Sequence, residues 1–513
     1  MNLSEKSLRW AFKHILAEND TDLFPTLKEY DFFKVNEDDL LNELGKIDIG
    51  NFIWQPSRRF IIPKAEYSYR VATQLDPIDS ILFAAMIYEI GGNIEKKRIP
   101  TEENKVFSYR FEPNDEGQLY NREGAWKNFW TTAKGKMDSN NVAVYIDIAD
   151  FYNRIYHHSL ENQMVHCNIP NQIIKGIINL IQNTTQTVSQ GIPVEPHSSH
   201  LLAEMCLISI DDSLNLKGID FCRYVDDIII FTDNEIHAKL IIYEMARMLD
   251  AMHLSMQKQK TRVYNKDEFI KHCDSMLNDN PINDLEENIL NTLGKYSTDP
   301  YGTIDFLEIA EDDKLVFAEY NINEILESYM GETIDYQRIR WLYKRLSQVG
   351  VSTAVELTLN KIDDLIPVIN DISLYFLSVA NSNEQNLHNV GDRLIKLLEN
   401  EIVQSNDFFQ LTILSLFEHS SKFNNIEKLI RLYPNANDHL KREIILSAFS
   451  SNATSWVREL KQQYESLSIW SKKAFLMASS LLPRDERKFF LKSIHINNGP
   501  LTIGLLEKYI KTI

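Results

Sequence analysis

The chain has 513 residues, of which 54 are Lys or Arg and 73 are Asp or Glu, so its formal net charge at pH 7 is −19. This length exceeds what one ordinary hydrophobic core supports, and two or three domains are expected. Before residue 275 there are 30 basic and 40 acidic residues, so the first part has a net charge of −10. After it there are 24 basic and 33 acidic residues, so the second part has a net charge of −9. The composition therefore excludes a broadly basic platform that grips a long nucleic-acid duplex.

Two features indicate a cytoplasmic protein with no membrane partner. No stretch approaches the roughly 20 apolar residues that a membrane-spanning helix needs, and no long apolar segment follows the charges of the N-terminus. The four cysteines are scattered without Cys-x-x-Cys spacing, which indicates a reducing compartment and no disulfide or zinc scaffold.

In chain order, residues 1–275 alternate short β-type runs with helical stretches. The runs predict strands at residues 60–62, 142–146 and 228–231, and helices at residues 79–90 and 237–252. This alternation is typical of an α+β domain. Residues 276–319 are acidic and irregular, and we predict that they connect this domain to the next.

From residue 320 to residue 513 the β-type runs disappear and amphipathic, helix-length segments follow one another. The predicted helices are residues 392–403, 407–419, 426–432, 440–449, 456–464, 470–481 and 484–494. In the second of them Phe408, Leu411, Leu414 and Phe417 recur every three residues and mark one buried face. Short polar linkers join the segments, so we predict an all-α, HEAT-like repeat domain, although no exact repeat period is visible.

Three carboxylates follow or interrupt the apolar runs of the first domain. Residues 142–146 lead into Asp147, and residues 221–231 carry Asp226 and Asp227 side by side at a tight turn. Most Asp-Asp pairs are solvated turns, but adjacent carboxylates between buried strands repel each other unless a cation lies between them. Two such strands could converge three carboxylates on one point, as two-metal phosphoryl transfer requires. Hard oxygen ligands favour Mg²⁺.

Five short motifs occur along this domain in a characteristic order and spacing. They are Pro-Lys at residues 63–64 with Arg70, Asp-Ile-Ala-Asp-Phe-Tyr at 147–152, Ser-Gln-Gly-Ile-Pro at 189–193, Tyr-Val-Asp-Asp at 224–227, and residues 254–261, which end in Lys-Thr. Together they resemble the motifs of reverse transcriptases. The resemblance implies an α+β fingers-and-palm fold over residues 1–275.

The resemblance also implies roles for the motif residues. Two Mg²⁺ ions, or Mn²⁺, would be bound by Asp147, Asp226, Asp227 and the backbone of Ile148, and Lys260 would act as general acid toward pyrophosphate. The implied nucleotide-binding residues are Lys64, Arg70, Asp150, Phe151, Tyr152, Gln190 and Gly191. Among them, Lys64 and Arg70 would clamp the triphosphate, and Tyr152 would lie beneath the sugar.

Longer signatures at residues 150–158 and 191–204 resemble the abortive-infection (Abi) reverse transcriptases of bacteria and their prophages. This implies a phage-defence DNA polymerase that uses deoxynucleoside triphosphates without a template. Its single-stranded DNA product would be attached covalently to a side-chain hydroxyl, and Tyr30 is the candidate priming residue. It also implies a homo-oligomer. Glu195 departs from related sequences, which often carry Gly, and its charge would repel a phosphate backbone.

Three other interpretations stay open on the sequence. One is a templated, RNA-dependent DNA polymerase of the retron type, which should have a basic thumb. Another is a non-catalytic interaction protein, although all three palm carboxylates are present. The helical spacing of His197, His200 and Glu204 is compatible with zinc ligation, but their match to the Abi signature favours a structural or product-positioning role.

Overall fold

The computed structural model describes residues 1–21, 23–65, 68–121, 124–277, 281–297, 304–331, 333–382, 387–494 and 500–511. The chain divides into two compact units. Unit 1 comprises Met1–Asp22, Asn36–Arg59 and Ala72–Asp279. Unit 2 comprises Leu23–Val35, Phe60–Val71 and Asn280–Ile513. Unit 2 therefore contains two segments from the sequence range predicted as fingers and palm.

The described strands are β1 (Arg58–Ala65), β2 (Ser68–Gln74), β3 (Arg110–Phe111), β4 (Tyr120–Asn121), β5 (Val142–Asp147), β6 (Asp220–Tyr224), β7 (Asp227–Thr232) and β8 (Arg262–Asn265). Two small sheets pair β1 with β2 and β3 with β4. The largest sheet lies in unit 1, has the order β6-β7-β5-β8, and is antiparallel at every step. The predicted strand positions at residues 60–62, 142–146 and 228–231 fall in β1, β5 and β7.

The two central strands of this sheet, β5 and β7, are buried along nearly their whole length. Burial on both faces explains why their sequences contain continuous apolar runs, Val-Ala-Val-Tyr-Ile in β5 and Ile-Ile-Ile-Phe in β7, and not alternating patterns. One face packs against helices Ala125–Lys136 and Lys266–Leu277. The core on this face includes Phe129, Trp130, Ala143, Ile229, Phe231 and Phe269. This packing makes the central strands a rigid support for the residues at their ends.

The α-helices of unit 1 include the predicted helical stretches at residues 79–90 and 237–252. They are Glu5–Glu18, Glu37–Leu44, Pro77–Glu95, Ala125–Lys136, Phe151–Arg154, His157–His166, Asn171–Thr184, His197–Leu216, Glu235–Ala251 and Lys266–Leu277. None of the helices in the described parts of the chain is long and apolar enough to cross a membrane.

Apart from its β1–β2 segment, the described part of unit 2 is helical. Its α-helices are Glu29–Val35, Asp284–Tyr296, Glu311–Lys314, Glu319–Tyr329, Tyr336–Val349, Val355–Asn360, Ile369–Ser382, His388–Leu397, Glu401–Gln404, Asp407–His419, Ile426–Leu432, Asp438–Ser450, Thr454–Leu460, Ile469–Ala478, Arg484–Ser493 and Leu501–Ile510. Six of them pack in chain order, each on the next: Tyr336–Val349, Ile369–Ser382, Asp407–His419, Asp438–Ser450, Ile469–Ala478 and Leu501–Ile510.

Two sequence expectations for this unit were wrong. The helix predicted over residues 392–403 is split, because the Asn400 side chain accepts hydrogen bonds from the backbone N–H groups of Ile402 and Val403 and so starts a new helix. The region predicted as irregular, residues 276–319, contains helix Asp284–Tyr296, which Asn283 caps. The many acidic residues of this region made the helix hard to recognise from the sequence, although one face of the helix is buried.

Candidate active site

The register of the large sheet brings the predicted metal-binding carboxylates together. Asp147, the last residue of β5, is the direct cross-strand partner of Asp227, the first residue of β7. A two-residue turn joins β6 to β7 and contains Asp226. The backbone N–H of Ile148 donates to the carbonyl of Asp226 at 3.2 Å, which holds the end of β5 against this turn. The three carboxylates therefore meet at one end of the two central strands.

Crowding and burial make this cluster electrostatically costly without cations. Burial first, and then the carboxylates of Asp227 and Asp147, raise the pKa of Asp226 to about 7. The Lys260 ammonium forms a salt bridge with Asp147. Burial opposes the charge on Lys260, but the Asp147 carboxylate outweighs it and raises the pKa of the lysine. The Tyr145 hydroxyl donates to Asp227 Oδ1 at 2.5 Å.

These donors fit Mg²⁺. Within the described residues, no three His, Cys, Asp or Glu side chains form a ready-made metal cage. Mg²⁺ does not need one, because it commonly uses one or two carboxylates and completes its shell with water and substrate phosphates. The raised pKa of Asp226 shows that the cluster favours added positive charge. Asp147, Asp226 and Asp227 are the residues that would supply the ligands.

The motif around Tyr152 and the Gln-Gly motif lie side by side. Asp150 takes a left-handed backbone conformation (φ 49°) and begins helix Phe151–Arg154. The N–H of Ile192 donates to the Tyr152 carbonyl at 3.0 Å, and Gln190 forms a β-bridge with Tyr156.

Glycine is required between Gln190 and Ile192. Gly191 has φ 93°, and a Cβ atom at this position would lie 3.3 Å from the backbone oxygen of Asn153. Its N–H donates to the Ile155 carbonyl at 2.8 Å. The structure thus places Gln190 and Gly191 against the segment that carries Tyr152.

The Tyr152 ring contacts His200 edge-on, with ring centroids 5.8 Å apart. The Tyr152 hydroxyl forms a hydrogen bond with Nδ1 of His200 at 2.7 Å, and burial raises the pKa of Tyr152 well above its ordinary value. His200 stacks on Tyr109 with ring centroids 4.1 Å apart and an interplanar angle of 8°. His200 is thus part of this pocket. Glu204 binds Arg98 and Ser108, so it is not available as a zinc ligand beside His197.

Three candidate residues belong to unit 2. Lys64 lies on β1 with an exposed side chain, and its backbone carbonyl accepts from Arg340 at 2.9 Å. Arg70 lies on β2 and is half-buried. Tyr30 is only 2% exposed and contacts Phe33 edge-on. The triphosphate roles of Lys64 and Arg70 and the priming role of Tyr30 stay predictions.

A comparison with known protein families finds a match that covers the larger part of unit 1. Residues 62–292 match the family described as reverse transcriptase (RNA-dependent DNA polymerase), and this range includes all three carboxylates. No curated protein matches the chain. Solved structures with some similarity are telomerase from Candida albicans in complex with a fragment of telomeric RNA and apo telomerase from Candida tropicalis. The first has 10% identity and a TM-score of 0.32 and covers 78% of this chain and 70% of its own. The second has 11% identity and a TM-score of 0.31, and the match covers 83% of this chain and 72% of the telomerase chain.

Proposed function

We propose that this chain, a nucleotidyltransferase with a reverse-transcriptase domain, is a phage-defence DNA polymerase that starts DNA synthesis on one of its own side-chain hydroxyls and needs no template. The observation that carries the polymerase assignment is the cross-strand pairing of Asp147 with Asp227 beside Asp226 within the matched range. The motif resemblance at residues 150–158 and 191–204 supports the defence role.

In the proposed reaction, a hydroxyl oxygen attacks the α-phosphorus of a deoxynucleoside triphosphate. A new P–O bond forms as the bond to pyrophosphate breaks. Mg²⁺ held by Asp147, Asp226 and Asp227 would supply charge neutralisation at the attacking and leaving oxygens. Lys260, whose ammonium forms a salt bridge with Asp147, would donate its proton to the leaving pyrophosphate.

The nucleotide would be selected by the pocket around Tyr152. A ring beneath the sugar leaves no room for a 2′-hydroxyl, and Gln190 and Gly191 would shape the opposite wall. Lys64 and Arg70 would bind the β- and γ-phosphates, for which the guanidinium fork has the better geometry.

Charge and helical architecture support synthesis without a template duplex. The net charge of −19 offers little for a long duplex, and a short or single-stranded product needs less basic surface. The chain-order packing of the six helices in unit 2 supports a HEAT-like array in place of a thumb. Faces of such arrays commonly bind other proteins, and we infer that the protein self-associates.

Covalent priming predicts a product that cannot be separated from the protein by denaturation. After incubation with labelled deoxynucleotides and Mg²⁺ alone, we expect the label to migrate with the denatured chain and to be released by protease. Label that migrates free of protein before proteolysis would reject covalent priming. Labelling that depends on added RNA would instead support the alternative, a templated RNA-dependent DNA polymerase. The description of the matched family supports this alternative.

The same assay tests the acceptor. Tyr30 is buried, so priming there requires its helix, Glu29–Val35, to leave the core of unit 2. Tyr30→Phe should abolish the adduct if Tyr30 is the acceptor. Tyr243→Phe, which changes a tyrosine that is 70% exposed, is the matched control and should retain it. An adduct that persists in Tyr30→Phe rejects this site only.

Tyr152→Ala should raise the use of ribonucleotides relative to deoxynucleotides, because the substitution opens space beneath the sugar. Tyr152→Phe is the matched control, since it keeps the ring and removes only the hydrogen bond to His200. The ratio of kcat/KM for the two sugar types measures the effect. An unchanged ratio in Tyr152→Ala would show that this ring is not the gate.

A further inference from the structure

The turn that carries Asp226 contains a strained residue. Val225 connects β6 to Asp226 and adopts φ 54°, a left-handed conformation that is unfavourable for a β-branched side chain. Such a conformation persists only where the surrounding structure holds it in place. The position of the Asp226 carboxylate depends on this turn.

Both polar backbone atoms of Val225 are held by buried side chains. Its N–H donates to Ser108 Oγ at 2.8 Å, and its carbonyl accepts from Arg223 Nη1 at 3.0 Å. Neither Ser108 nor Arg223 is exposed. The segment before Ser108 runs along β6, where the N–H of Phe107 donates to the Arg223 carbonyl at 3.1 Å.

Glu204 links the two side chains that hold the turn. Ser108 Oγ donates to Glu204 Oε1 at 2.5 Å, and Arg223 Nη2 lies 3.0 Å from Glu204 Oε2. Arg98 contacts the same oxygen at 2.7 Å, and Asp211 binds Arg223 through two hydrogen bonds of 2.7 and 2.6 Å. The guanidiniums of Arg98 and Arg223 thus face the carboxylates of Glu204 and Asp211 at the centre of this buried network. Arg98 also forms a salt bridge with Glu95 at 3.1 Å. A balanced network of this kind is rigid, because loss of any member leaves a buried charge unpaired.

We infer that Ser108, Arg223 and Glu204 are positioning residues for nucleotidyl transfer, which hold Val225 in its strained conformation and thereby fix the Asp226 carboxylate. This inference rests on the proposed function of Asp226. It also gives a role to Glu204, the last residue of the signature at residues 191–204. The network acts through the backbone of the turn and lies outside the nucleotide pocket around Tyr152.

Ser108→Ala tests the inference with the smallest change. It removes the acceptor of the Val225 N–H and one donor to Glu204, and we expect kcat to fall about tenfold with little change in KM for deoxynucleotides. In the metal-free protein, the peptide that spans residues 221–228 should also exchange amide hydrogen faster. Ser7→Ala is the matched control, since Ser7 is equally buried and its hydroxyl also donates to a carboxylate, Glu89, at 2.7 Å.

Two further variants separate positioning from general stability. Ser108→Thr retains the hydroxyl and should recover the slow exchange of this peptide. Val225→Gly removes the penalty of the positive φ, so Ser108→Ala should cost less kcat in that background than in the wild type. An equal loss in both backgrounds, or an unchanged kcat and exchange rate in Ser108→Ala, would overturn the inference. If the wild-type protein itself incorporated no deoxynucleotides, the proposed function would be rejected instead.

Discussion

Asp226→Asn and Asp147→Asn are each expected to reduce deoxynucleotide incorporation in Mg²⁺ by about 10³-fold or more, because each removes a charged ligand at the point where the carboxylates meet. The folded state should not suffer in Asp226→Asn. Folding raises the pKa of Asp226 from its ordinary value to about 7, so this carboxyl increasingly destabilises the native state as the pH rises through that range, and the full cost remains at higher pH. A neutral amide of the same shape removes that cost. Steady-state incorporation and thermal unfolding measure the two effects.

Asp233→Asn is the matched control for this prediction. Asp233 follows β7 directly and is exposed, so its substitution removes one negative charge near the same strand but away from the cluster. It should retain near wild-type incorporation. If either cluster variant also kept near-full incorporation, the catalytic assignment of the palm carboxylates would be wrong.

The meeting of the three carboxylates was predictable because its determinants are local. β5 and β7 are continuous apolar runs, and each places an Asp at a strand end, so the pattern alone located Asp147 and Asp227. Antiparallel pairing of these strands then makes the two residues neighbours. The Gln-Gly motif was also visible in the sequence, and its glycine suits the positive φ that the backbone adopts at Gly191.

The residues that support this centre were not predictable, because they come from distant parts of the chain. Ser108 and Glu204 are 96 positions apart, and no periodicity connects them. A signal was present, since Arg223 stands directly before the Tyr-Val-Asp-Asp motif and follows the apolar Phe221 and Cys222, and a buried Arg requires a partner. The sequence does not reveal which carboxylate that partner is. Tyr30 illustrates the same limit, because its helix joins unit 2 across several hundred residues.

Arg442→Ala is expected to lower the free energy of unfolding by about 3–5 kcal/mol, because it strips the cation from a buried ion cluster in unit 2. Arg442 Nη2 binds both carboxylate oxygens of Glu29, at 3.2 and 3.0 Å. Its Nη1 binds both oxygens of Glu443, at 2.9 and 3.1 Å. All three residues are at most 1% exposed. Burial, and then the neighbouring Glu443, raise the pKa of Glu418 well above its ordinary value. The cluster therefore already has more acidic than basic side chains.

Two comparisons test whether unpaired charge causes this loss. Arg393→Ala, the matched control, removes an arginine whose ion pair with Glu356 is solvent-accessible, and should change stability by no more than about 1 kcal/mol. Glu29→Gln combined with Arg442→Ala should recover part of the loss, because it removes one of the stranded carboxylates. Urea denaturation followed by circular dichroism measures each variant. Equal stability of Arg442→Ala and Arg393→Ala would show that the cluster does not hold helix Glu29–Val35, which carries Tyr30, within unit 2.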